Sequence, residues 1–142
     1  MNKEQIEILV VEPGKKPYVK TIDNSLQAMQ EVVEGYIEPI YLDDVAIVVN
    51  EEGKVNKLPL NRSLYDESGE RFDIIAGTFF VCGLGEENFT SLNETQKEQY
   101  AREFYPAEMF FHNDIKGELD SRKIYPMDDI KKKAAKNKEL ER

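Results

Sequence analysis

The chain has 142 residues, 40% of them hydrophobic, which suits one compact domain with appended helical segments. No apolar run approaches the roughly 18 residues of a membrane span, residues 6–11 are too short for a signal-peptide core, and the single Cys82 excludes an internal disulfide or a zinc knuckle, so the expectation is cytoplasmic. The net charge of −9 divides unevenly, ten basic against twenty-two acidic residues through position 115 and nine against six beyond it: an acidic body that repels phosphate backbones, ending in a basic tail.

Residues 5–12 read as a strand with Ile6, Ile8 and Val10 on one face. The breakers Pro13, Gly14 and Pro17 turn the chain, and residues 18–22 return as its hairpin partner. A helix follows, capped by Asn24 or Ser25, with Leu26, Met29, Val33 and Tyr36 on its apolar face and Gly35 suited to the C′ position. Residues 36–42 form a strand that Pro39 consigns to an edge or a bulge, and the apolar residues 45–50 form a central one. A tight turn is expected over 50–54, with residues 55–58 pairing back. Residues 60–72 read as a polar crossing and 73–83 as one buried central strand, with Gly77 marking a bulge or a close approach.

The last third changes character. Ser91 with Glu94 and Asn93 with Gln96 offer helix starts, Tyr100 and Phe104 an apolar side, and Pro106 a stop. Phe110, Phe111 and Tyr125 indicate further docking onto the body. Beyond Pro126, acids first and lysines last suit the dipole of a fraying terminal helix. The expected fold is therefore α+β, a mostly antiparallel sheet with one packed helix in the order β-β-α-β-β-β-β, followed by C-terminal helices. Its divisions are a sheet domain over 1–85, a helical extension over 86–126 and a charged helix over 127–142.

The residues 50–54, 58–62 and 73–79, with 8–14 and 37–41, resemble an uncharacterised domain family of phages, plasmids and integrative elements of gut-type bacteria. The resemblance covers residues 5 to about 83 well and the helical remainder loosely. It implies a mobile-element setting, in which small acidic accessory proteins counter host defence or aid transfer, and it carries no assigned catalysis.

The polar set Asn50, Asn56, Asn61, Arg62, Asp73, Gly77 and Thr78 is the candidate ligand-binding site. Arg62 can fork onto a carboxylate or phosphate, the amides can read a polar edge, and Gly77 admits a group beside Thr78. The competing reading makes Asn50 a turn opener and Arg62 with Asp73 an internal ion pair bracing the crossing. His112 lacks a nameable nucleophile or co-ligand, Cys82 reads as a small buried hydrophobe, and residues 83–85 are too short for a dinucleotide fingerprint. No catalytic residue, cofactor or metal is expected.

The resulting expectation is a non-enzymatic binding or accessory protein that takes a small molecule or a host protein. Neither direct nucleic-acid binding by the acidic body nor a membrane is expected. The alternative is an acidic DNA mimic of the antirestriction type, presenting Asp43/Asp44, Glu51/Glu52, Asp66/Glu67 and Glu86/Glu87 to a basic host enzyme.

Overall fold

The computed structural model describes residues 4–125. β1 (Gln5–Val11) and β2 (Tyr18–Asp23) form the expected opening hairpin, in register from Gln5↔Asp23 to Val10↔Tyr18. α1 (Leu26–Val33) starts where Ser25 Oγ accepts a hydrogen bond from Ala28 N at 3.2 Å. It ends one residue earlier than expected, with Glu34 rather than Gly35 in the left-handed conformation (φ 62°). β3 (Ile37–Leu42) and β4 (Val45–Asn50) pair as a second hairpin, and all six residues of β4 are buried.

Beyond β4 the structure departs from expectation. Residues 51–57 form an extended turn, and residues 55–58 do not pair back; Val55 is 80% exposed. The segment read as a polar crossing contains β5 (Leu60–Tyr65), which pairs with β6 (Arg71–Ala76) around the turn headed by Asp66. The segment read as one strand is two, because β6 ends at Ala76 and β7 (Phe79–Leu84) begins after a sharp corner. Gly77 makes that corner at φ +86°, where a side chain would be strained, and a Cβ there would lie 2.8 Å from Leu58 Cδ1.

All strand pairings among the described residues are antiparallel. The main sheet runs β2-β1-β7-β4-β3, and the short β8 (Phe89–Thr90) pairs with β7. Alternation along the buried strands gives the sheet two apolar faces. Ile6, Ile8, Val10, Val48 and Phe80 pack against Met29 and Val33 of α1. On the other face Leu9, Val11, Ile47, Phe79 and Val81 meet Leu64 and Ile75 of the β5–β6 hairpin, together with Tyr100 and Phe104 of the following helix and its cap.

That helix, α2 (Glu94–Glu103), opens with the expected Asn93/Gln96 capping box. It is held against the sheet by Lys97, which bonds Glu7 of β1, and by Gln96 Nε2, which donates to Asp44 Oδ2 at 2.6 Å. Phe104 then meets Phe79 edge-on at 5.2 Å. After α2 the expected helical extension gives way to a hairpin of β9 (Ala107–Asn113) and β10 (Glu118–Ile124). Asn113 Oδ1 accepts from Ile115 N and Lys116 N, both at 3.1 Å, and so starts the turn that makes strands rather than helices of this region. The described residues thus form a mixed, mostly antiparallel structure with two helices. The terminal helix expected over 127–142 lies outside them.

Candidate functional site

Strand β5 positions the two most buried members of the candidate set. Asn61 is 0% exposed; its Nδ2 donates to Val11 O and to Gly77 O, each at 2.9 Å, stitching β5 to β1 and to the corner before β7. Arg62 is 1% exposed, and all of its donors end inside the protein. Nε and Nη2 reach Phe104 O at 3.1 and 3.0 Å, Nη2 also reaches Lys15 O at 2.6 Å, and Nη1 reaches Asn61 Oδ1 at 2.7 Å. A weaker contact joins Nη1 to Asn61 O at 3.4 Å.

None of these acceptors is a carboxylate, and the ion pair to Asp73 weighed above does not form. The guanidinium instead caps the carbonyl end of α2, where the helix dipole favours a cation. Burial pulls its pKa down to about 10, with the Glu108 carboxylate opposing the shift. At neutral pH it remains a cation locked among neutral oxygens.

The other members lie apart. Asn50 is 8% exposed, with Nδ2 donating to Val33 O at 3.0 Å and Oδ1 accepting from Glu52 N at 2.8 Å, so it does open its turn. Gly35 makes room for it, since a Cβ there would stand 2.6 Å from Asn50 Nδ2. Asn56 is exposed on the 51–57 turn, and Thr78 is half-buried beside Gly77. Asp73 accepts from Ile74 N at 2.8 Å and pairs with Lys54. Of the set, Asn50 and Asp73 share a cleft of about 110 Å³ with Glu38, Ile40, Val49 and Lys54. That is small beside the several hundred cubic ångströms usual for organic-ligand pockets.

Sequence reasoning missed the contact next to this cluster. Ser63, 3% exposed, donates its N–H to Glu108 Oε1 at 2.9 Å and its hydroxyl to Oε2 at 2.7 Å. The two residues are 45 positions apart, and no local pattern announces the pair. Cys82 is buried in β7, and burial pushes its thiol up to about 12, so it is a poor nucleophile. His112 is exposed on β9. Among the described residues no group of His, Cys, Asp and Glu is arranged to hold a metal ion, and no helix is long and apolar enough to cross a membrane.

Two surfaces among the described residues bear on function. On the β9–β10 hairpin, directly opposed residues share a face. Met109 and Phe111, at 53% and 42% exposure, therefore stand with Arg122, Asp120 and Ile124 on its outward side, while Ile115 at the tip is 98% exposed. At one end of the main sheet, the pairing Val45↔Gly83 brings the turn Asp43–Asp44 level with the loop carrying Glu86 and Glu87. Glu103 adds to this end: its carboxyl is held above the ordinary range, first by burial and then by Asp43, with Lys123 opposing. Glu51/Glu52 and Asp66/Glu67 lie in other turns.

Residues 6–105 match the family model described as a domain of unknown function, DUF3846. The match runs through α2, well past the part of the chain where the resemblance was close, and stops just before β9. Neither the curated proteins nor the solved structures contain a match.

Proposed function

We propose that this chain, which belongs to the DUF3846 family, is a non-enzymatic accessory protein of a bacterial mobile genetic element and acts in the cytoplasm by docking a host protein. The observation that carries the docking role is the outward face of the hairpin, where Met109 and Phe111 stay half exposed. Apolar side chains gathered on one exposed face favour a macromolecular partner. A small-molecule role through residues 50–78 has less support, because Asn61 and Arg62 are engaged in internal bonds and the shared cleft is narrow. The mobile-element setting is supported by the resemblance of residues 5–83 and by no geometric feature.

Affinity purification of the tagged chain from its host tests this reading. The double variant Met109→Ser/Phe111→Ser is expected to lose a protein that accompanies the parent chain, with binding weakened at least ~30-fold if the pair are anchors. An unchanged partner set would overturn the docking face.

A second reading, a DNA mimic directed at a basic nuclease or methyltransferase, is favoured by the shared end of the sheet that carries Asp43, Asp44, Glu86 and Glu87. It predicts salt-sensitive binding that weakens when those four acids become amides and is indifferent to Met109 and Phe111. Binding that ignores the four amides excludes it.

A further inference from the structure

Ser63 is a polar residue inside β5, where it is paired with Ile74 of β6. It is almost fully buried, and both of its donors converge on one carboxylate, N–H to Glu108 Oε1 at 2.9 Å and O–H to Glu108 Oε2 at 2.7 Å. Two short bonds from one residue to the two oxygens of one carboxylate make a shaped receptor, selective for a planar anion over a lone acceptor. The neighbouring residue supplies the charge. Arg62 holds a buried guanidinium whose hydrogen-bond acceptors are all neutral oxygens, and Glu108 is the anion that acts on it. A buried cation without a direct counter-ion favours an anion placed close by.

Receptor and ligand come from different parts of the chain. Ser63 and Arg62 lie within the family-matched residues 6–105, whereas Glu108 stands on the hairpin beyond them. The rest of the hairpin's attachment includes Arg71, whose Nη2 donates to Leu119 O.

We propose that the Ser63 position of β5 is a carboxylate-binding site of the domain body, that Glu108 fills it as a built-in ligand, and that it accepts an acidic peptide side chain from outside when Glu108 is withdrawn. The site is separate from the outward face of the hairpin described above, and neither depends on the other.

Thermal unfolding of the full chain in sodium acetate and in sodium chloride of equal ionic strength tests this. For Glu108→Ala, acetate is expected to raise the melting temperature saturably by about 3 °C over chloride, as binding to the folded state alone requires. The parent chain, whose site is filled, is expected to show no acetate-specific shift, and Glu108→Ala/Ser63→Ala, which keeps the N–H donor but lacks the hydroxyl, a clearly smaller one than Glu108→Ala. The peptide acetyl-Ala-Glu-Met-amide should stabilise Glu108→Ala where acetyl-Ala-Gln-Met-amide does not. Equal shifts in all three proteins, or none in any, would overturn the proposal, as would indifference to Glu versus Gln in the peptide. If Glu108→Ala does not fold in chloride, recovery of the folded chain on dilution from denaturant into acetate supports the site, and equal failure in both salts rejects it.

Discussion

At residue scale, single buried polar groups govern the structure as much as apolar ones do. Asn50 satisfies a carbonyl of α1 and an amide of its own turn, and the absence of a Cβ at Gly35 lets its side chain fit. Asn50→Ala strands Val33 O and Glu52 N and should cost roughly 1–2 kcal/mol in urea unfolding. Cys82 gives a complementary test. With its thiol pushed up to about 12 by burial, it should resist a disulfide reagent at pH 8 in the native state and react fully once unfolded. Fast native labelling would contradict its placement in β7. Asn50 as a turn opener and Cys82 as a buried hydrophobe were both legible in the sequence, because each follows from its immediate neighbours. The partners of Arg62 and Ser63 were not legible, since Lys15, Phe104 and Glu108 lie 42 to 47 residues away.

At the scale of elements, strong periodicity or chemically explicit caps made the difference. β1, β4 and the Asn93/Gln96 start of α2 carried such signals. β5 carried the opposite signal, because Asn61, Arg62 and Ser63 are polar yet buried, and a hydrophobicity reading turned a core strand into a crossing loop. The β9–β10 hairpin was missed for a related reason: aromatic residues were read as docking contacts of a helix, and the turn chemistry of Asn113 went unused. The hairpin's outward side chains are only half buried, so Met109→Ser/Phe111→Ser should lower unfolding free energy by no more than about 2 kcal/mol. A larger loss would mean that this face is packed rather than presented. On α2, Glu103→Gln tests the acidic end. A carboxyl held above its ordinary range disfavours the folded state when ionised, so the variant should be more stable at pH 7. That gain should fade as pH falls through the raised value and be gone below the ordinary carboxylate range, where both forms are uncharged.

At the scale of the whole molecule, Arg62 is the point where three distant segments meet: the loop after β1 through Lys15, the end of α2 through Phe104, and β5 itself through Asn61. Through Asn61 the network continues to β1 and to the Gly77 corner. The guanidinium is thereby a clamp that seats α2 and the β5–β6 hairpin on one face of the sheet, and a ligand-binding role for it would require breaking that seat. Equilibrium urea unfolding of Arg62→Ala, followed by far-ultraviolet circular dichroism, tests this most directly. The clamp predicts a loss of about 3 kcal/mol or more, as expected when several buried acceptors lose their donor together. An unchanged midpoint and slope would contradict it and return Arg62 to the list of groups held ready for a ligand.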